Sequence, residues 1–310
     1  MDTNTRSVAV DGMGGDFAPL AVVDGVLLAA KSGVPVLVFG PEAELIALLS
    51  EREPAWRDLG IVVSGTSEVI EMAEEPVHAV RRKPHSSLVA AVRAVAEGKA
   101  GGVFSAGNSG ALMAAAVFVL GREEGIERPA IAGVLPTLQG SVVALDLGAN
   151  VDCRPHHLEQ FGYLGAAYAR RLFNISKPRV ALLSNGAERG KGSALVKQAA
   201  ELLQQSSLHF IGNVEPAAVM QHATDVVVCD GFSGNVFLKT LEATAGMFRH
   251  LLRHDAAMVR LLEERFGESA QSGARLLGVR GVVLVGHGAS HAQAVARAIQ
   301  KTHTIILAEK

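Results

Sequence analysis

The sequence predicts a doubly wound, mostly parallel α/β sheet with helices on both faces, built from 310 residues. Three observations lead there. Short apolar runs alternate along the chain with stretches of helical period. Runs such as Val226-Val227-Val228 lack polar alternation, as strands buried on both faces require. Strand ends pass through glycine turns straight into helix starts. The composition agrees: 49% of residues are hydrophobic but only 5% are aromatic, so small aliphatic side chains must do the packing.

Taken in order, residues 7–10 form the first strand, and Gly12, Gly14 and Gly15 turn the chain behind Asp11. Pro19 suits the first turn of a helix, whose inner face is Val22, Val23, Val26, Leu27 and Ala30. Residues 34–39 and 61–63 are the next strands, with a helix through about Leu49 between them. Residues 68–84 are charged and show no clean strand, which suits a solvated helix or loop. A capped helix runs from Ser86 to about Glu97, a strand spans 103–105, and Gly107-Asn108-Ser109-Gly110 open a helix reaching Leu120. Strands follow at 130–135 and 141–145, a long helix at 155–172, a strand at 179–183 and a helix at 194–203. Residues 208–211 and 226–228 are strands, with a short helix between them. The pattern at 235–266 is helical, 271–274 reads as loop, 282–285 is the last strand, and a final helix starts at His291. No repeat or linker divides the chain, so one α/β domain over 1–310 is expected.

The charge excludes some classes. A net charge of −2 gives no general attraction to nucleic acid or anionic lipid, so no nucleic-acid partner is expected. Cys153 and Cys229 are the only cysteines and lack metal-ligand spacing, which fits a reduced, cytoplasmic setting without a structural disulfide. The polar N-terminus does not read as a signal peptide. The longest uncharged run, 100–121, carries Ser105, Asn108, Ser109 and five glycines, and reads as strand, turn and helix rather than a membrane span.

Five turns carry the chemistry: 11–16, 107–110, 186–192, 230–235 and 286–290. In open α/β sheets ligands bind beyond the carboxyl ends of the strands. Glycine allows close backbone approach there, and a helix start offers N–H groups and positive potential to an anion. One such turn is ordinary; five point to phosphate or a related oxyanion. Neither a Walker sequence nor a dinucleotide fingerprint is present. Lys191, inside Gly186-Ala187-Glu188-Arg189-Gly190-Lys191-Gly192, can set a point charge on phosphate, or be a solvated loop lysine. Asn108, Asn150, Asn185, Asn213 and Asn235 each lie in or beside a turn, where they either fix left-handed backbone or donate to a developing oxyanion. His287, between two glycines, is a candidate acid or anion donor. Asp11, Asp16, Asp146, Asp152 and Asp230 have no recognised metal spacing, so no metal is expected and capping is their simpler role. Cys229 sits within an apolar strand, where burial would keep it inert.

In order, AVDGMGGDFAP (9–19), AVRRKPHSS (79–87), SAGNSGALM (105–113), RPAIAG (128–133), LDLGANVD (145–152), FIGNVE (210–215), DVVVCDGFSGNVFLKTLE (225–242) and GHGAS (286–290) resemble the successive motifs of the bacterial phosphate acyltransferase (PlsX) family. The resemblance covers nearly the whole chain. It implies transfer of a fatty acyl group from acyl-[acyl carrier protein] to inorganic phosphate, the first step of bacterial phospholipid synthesis. It also implies a fold like isopropylmalate dehydrogenases and phosphotransacetylases, a homodimer, and no cofactor, metal or nucleotide. Peripheral membrane contact, or a membrane acyltransferase partner, belongs to the same expectation. Gly12 and Phe17 depart from the family's first motif, and the segment 249–273 is shorter than usual.

The expected mechanism is direct attack of phosphate on the thioester, which needs positioning and charge stabilisation rather than a covalent intermediate. Lys191, Asp230, Asn235 and His287 are the expected catalytic residues. Asp11, Gly14, Gly15, Asn108, Ser109, Gly110, Asn150, Asp152, Gly186, Asn213, Ser233 and Gly234 are the expected substrate contacts. Arg81, Arg82, Lys83 or the arginines between Arg249 and Arg265 are candidates to attract an acidic carrier protein. A phosphotransacylase using acyl-CoA and a non-catalytic carrier-binding scaffold are the alternatives.

Overall fold

The computed structural model describes residues 6–262 and 273–309. From the N-terminus the elements are β1 (Val8–Asp11), α1 (Leu20–Lys31), β2 (Val36–Gly40), α2 (Glu42–Arg52), β3 (Ile61–Gly65), α3 (Pro76–Arg82), α4 (Ser87–Ala96), β4 (Gly102–Ser105) and α5 (Ser109–Ala115). Then come β5 (Ala130–Thr137), β6 (Gly140–Leu145), α6 (Pro155–Phe173), β7 (Arg179–Leu183), α7 (Ala194–Gln205), β8 (His209–Val214), α8 (Pro216–Met220), β9 (Val226–Val228), α9 (Gly231–Leu251) and α10 (Ala256–Leu262). The described chain closes with β10 (Ala274–Leu277), β11 (Val282–Val285) and α11 (Ala292–Ala308). The chain falls into two compact units, Met1–Glu124 with Gln271–Lys310, and Gly125–Ala270.

In the first unit the strand order is β3-β2-β1-β4-β11-β10. β1 pairs parallel with β2 and β4, and only β10 runs antiparallel, against β11. Val8 and Val10 join Val36, Val38, Phe104 and Leu284 in a cluster with residues of α1, α2 and α11. Ala9 and Val103 point the other way and are also fully buried. Both faces of this sheet are therefore covered, which is why its strands carry no polar alternation. Gly25 lets α1 approach α11: a Cβ there would lie 2.5 Å from Val295 Cγ1.

In the second unit the order is β5-β6-β9-β7-β8. β5 and β6 form an antiparallel hairpin, and β6, β9, β7 and β8 run parallel. Leu158, Phe161 and Ala169 of α6 are buried on this sheet, and Gly165 comes close enough that a Cβ would meet Val226 and Leu145. At the amino end of the parallel strands Arg179 clamps Asp225. Its backbone N–H donates to Oδ2 at 2.7 Å, and its guanidinium reaches both carboxylate oxygens at 3.0 and 2.9 Å.

Two expectations need correction. β10, at Ala274–Leu277, was expected in part as loop, because a short strand beside a tight turn has too few residues to show a period. The helix expected over 235–266 begins earlier, at Gly231, and stops at Leu251 before α10. Its start is set by the Asp230 cap, a side-chain bond that periodicity does not reveal. The helix-or-loop reading of 68–84 holds: the segment includes α3, with Glu75 capping the N–H groups of Val77 and His78. Arg265 and residues 271–272 lie outside the described residues.

Burial opposes the charge on Asp225, but the Arg179 bonds outweigh it and hold the carboxyl below its ordinary value. Replacing Asp225 by Asn should cost about 2–3 kcal/mol, since it strands part of a buried charge network. The difference from wild type should be full at neutral pH and shrink as pH falls below about 4, through the lowered folded-state value. Urea unfolding of both proteins across that range measures it.

Candidate functional site

In the first unit, three of the five turns meet around Asp11. The strand end places this carboxylate in the interior, and the N–H of Met13 donates to Oδ1 at 3.2 Å. Ser105 donates its hydroxyl to Oδ2 at 2.7 Å and accepts from the N–H of Gly107 at 3.0 Å. Burial pushes the Asp11 carboxyl up, and the bonds from Ser87, Ser105 and Met13 oppose that. Gly14 lies directly on this network, because a Cβ there would be 2.6 Å from Asp11 Oδ2 and 2.7 Å from the N of Gly107. Gly15 adopts φ 110°, and the next residue, Asp16, donates its N–H to Gly288 O at 2.8 Å. The first, second and last turns are thus tied into one cluster.

Asn108 caps α5, its Oδ1 accepting from Ala111 N–H at 3.0 Å. Its Nδ2 donates to the carbonyls of Met72 and Glu74 at 3.1 and 2.9 Å. Gly110 makes room for Pro76, while Ser109 is half-buried at the first position of α5. His287 is exposed, and its Nδ1 accepts from Ala289 N–H.

In the second unit, Asp146 follows β6 and is fully buried. Its Oδ1 accepts from the N–H groups of Ile131, Gly148 and Ala149, and its Oδ2 from the backbone and side chain of Asn150. Burial pushes this carboxyl up and the surrounding donors oppose it. The loop so formed locks onto the start of α9. Gly231 donates to Asn150 O at 2.7 Å, and Asn235 Nδ2 to Leu147 O at 3.1 Å. A Cβ on Gly234 would fall 1.9 Å from Asp146 O. Asp230 caps α9, bonding Ser233 N–H at 2.9 Å and the Ser233 hydroxyl at 2.8 Å.

The 186–192 loop is held separately. Asn185 Oδ1 accepts from Gly192 N–H at 2.9 Å, and Asn213 Nδ2 donates to the carbonyls of Glu188 and Lys191. Gly192 has φ 94°, and Gly186 makes room for the Lys191 stem. Lys191 is exposed, with no ion pair among the described residues. A cavity of about 860 Å³ brings this loop and the α9 start together, with Asn185, Gly192, Ser193, Asp230 and Ser233 in its lining.

The expected residues therefore form distinct groups. Asp11, Gly14, Gly15, Asn108, Gly110 and His287 gather in the first unit. Asn150, Asp230, Ser233, Gly234 and Asn235 gather in the second, with Gly186, Lys191 and Asn213 on the neighbouring loop. Asp152 is exposed and bonds to none of them. The amides of Asn108, Asn150 and Asn213 each have two carbonyl or carboxylate acceptors, so they position loops. Asn235 keeps one N–H uncommitted. Two buried groups central to this arrangement, Ser105 and Asp146, were not expected as site residues. Ser105 takes its role from Asp11, 94 positions away in sequence, whereas Asp146 is bonded chiefly within its own loop, by Gly148, Ala149 and Asn150.

Neither thiol is poised to react. Burial pushes Cys229 well up, reinforced by the Asp146 and Asp230 charges, and its Sγ faces the Asp146 carbonyl at 3.5 Å. Burial and the same two carboxylates push Cys153 up to about 12. Glu127, His156 and His157 converge at the start of α6 and are the group among the described residues with cation-ligand spacing. However, the Arg154 N–H donates to His157 Nδ1 at 3.0 Å. The neutral ring then carries its proton on Nε2, facing Glu127, where a cation would need a lone pair. The trio is better suited to hydrogen bonding than to metal.

A family model described as a fatty acid synthesis protein matches residues 6–309. A phosphate acyltransferase of Anaeromyxobacter sp. (strain Fw109-5) is 45% identical over 308 residues, covering 95% of this chain and 86% of that protein. The chain belongs to the phosphate acyltransferase family. A phosphotransacetylase from Streptococcus pyogenes shares the fold, with TM-score 0.67 and 19% identity over 99% of this chain and 95% of that one. A 4-hydroxythreonine-4-phosphate dehydrogenase from Klebsiella pneumoniae does too, with TM-score 0.59 and 15% identity over 97% and 99%. The resemblance read from the motifs and the doubly wound fold both hold, and the chain is an enzyme of acyl transfer to phosphate.

Gly234→Ala tests the lock between Asp146 and α9. Because the clash is with backbone, it should cost about 3 kcal/mol or more and abolish acyl transfer. Thermal melting and turnover measure the two effects.

Proposed function

We propose that this phosphate acyltransferase takes its acyl group from acyl-[acyl carrier protein] and passes it directly to inorganic phosphate. The observation that carries direct transfer is the state of the two thiols. Both are held as thiols far above neutral pH, so neither suits the role of acyl carrier. A phosphate oxygen attacks the thioester carbon, a C–O bond forms, and the C–S bond breaks. The carrier thiolate leaves and takes up a proton from solvent.

The roles follow from what each group has left to give. Lys191 supplies positive charge to phosphate beside the 186–192 backbone, and the uncommitted N–H of Asn235 meets the developing oxyanion. Asp230 and Ser233 hold the α9 start in place, and Asn150 and Gly234 fix the loop behind it. In the first unit the backbone at Gly14, Gly15, Ser109 and Gly110, with His287, remains an anion-binding candidate. The family match runs across both units, which supports one catalytic domain over 1–310.

Docking of an acidic carrier protein is assigned to Arg81 and Arg82, which are partly or fully exposed at the end of α3. A homodimer is inferred from the exposed apolar side chains of Met247, Phe248 and Leu251 on α9. No helix among the described residues is long and apolar enough to cross a membrane, and a cytoplasmic enzyme with peripheral membrane contact fits that.

A Cys153→Ser, Cys229→Ser double variant should keep turnover within about threefold, or 0.7 kcal/mol of barrier. A folded but inactive double variant would overturn direct attack. Lys191→Ala should raise the KM for phosphate roughly tenfold, and unchanged phosphate dependence removes Lys191 from the site. Turnover with carrier thioesters against CoA thioesters decides between the proposed donor and acyl-CoA.

A further inference from the structure

The polar turns account for phosphate and the thioester carbonyl, but not for the apolar tail of the transferred group. We propose that the 860 Å³ cavity along α9 is the acyl-chain site, and that its far end sets chain-length preference. The inference rests on the acyl transfer proposed above and assigns the tail of that same substrate.

Position along the helix carries the argument. Phe232, Val236, Thr240 and Leu241 all line the cavity and recur at helical spacing, so they form one stripe on α9. The stripe begins at Asp230 and Ser233, beside the turn that would hold the reacting end. Val196 of α7 with Ala217 and Met220 of α8 face the same space. One end is therefore polar and the remainder mostly apolar, which matches a carbonyl followed by a hydrocarbon chain. Along the α9 wall the polar groups are satisfied within the protein: Asp230 is bonded to Ser233, and the Thr240 hydroxyl donates to Val236 O. A methylene chain can lie against this wall without stranding them, and the Ser184 hydroxyl, buried without a partner among the described residues, lines the cavity beside Asn185.

Size points the same way. Leu241 lies eleven positions after Asp230, about 16 Å of helix, which matches an extended chain of roughly a dozen carbons. Phe232 is 63% exposed and Val236 50%. Exposed apolar side chains lining a concavity form a surface suited to an apolar ligand. Met220 adds an unbranched, adaptable wall.

The test uses the full chain with Thr240→Phe, and Val236→Trp as a second variant should the first unfold. Relative kcat/KM is measured with dodecanoyl and butanoyl carrier thioesters, alongside binding of a fluorescent dodecanoyl probe. The dodecanoyl-to-butanoyl ratio should fall at least tenfold in either variant, and the probe Kd should rise by a similar factor. Val62→Trp, on β3 of the first unit, should leave both unchanged. A ratio altered less than twofold in a folded variant overturns the proposal, as does wild-type protein that fails to bind the probe. So does a filling variant that changes molar mass in sedimentation while the ratio stands, since a second copy then covers the groove. Loss of turnover with carrier thioesters in wild type, with probe binding intact and lost in the variants, overturns the proposed donor but upholds the chain site.

Discussion

The buried Asp146 carboxylate is the interaction on which the second unit's polar turns depend. A lone carboxylate in the interior costs several kcal/mol, and this one is tolerated because five N–H groups converge on it. Those donors come from a single short loop and from Ile131 on β5. Meeting their geometry fixes the loop, and the loop fixes the start of α9 through Gly231 and Asn235. Burial, reinforced by this carboxylate and Asp230, also keeps both thiols protonated.

The first unit uses the same device with fewer donors. Asp11 collects two serine hydroxyls and one backbone N–H, and Ser105 passes the constraint on to Gly107. In both units an acidic residue at a strand end acts as an interior anchor, and the glycine beside it is required by contact. Gly14 and Gly234 are glycines because a side chain would strike the anchor or its backbone. Flexibility is not their purpose. Positioning of this kind holds donors in place before a substrate arrives, so they need no reordering at the moment of reaction.

Much of this was legible in the chain. Val226-Val227-Val228, the alternation of strand and helix, and the five glycine turns predict the sheet and the turns at its strand ends, because each is a local property of neighbouring residues. Lys191, Asp230 and Ser233 were also visible, since loop lysines and helix caps act within a few positions. The asparagines were less transparent. Asn108 and Asn235 look alike in sequence, yet one amide is fully occupied by carbonyls of the segment before α3 and the other keeps a free N–H. That difference depends on which distant carbonyls come near.

The turn at 230–235 shows the division most clearly. By itself the sequence determined a buried strand, a capped helix and an anion-friendly turn, because strand burial, capping and glycine geometry are short-range. Only the tertiary structure decided that Gly231 and Gly234 seat against the Asp146 loop, and that the α9 stripe opens into a cavity. Those outcomes rest on contacts spanning more than eighty positions, from Cys229 to the Asp146 carbonyl and from Asn235 to the Leu147 carbonyl. No local pattern encodes such pairings; they arise when the parallel strands align β6 beside β9.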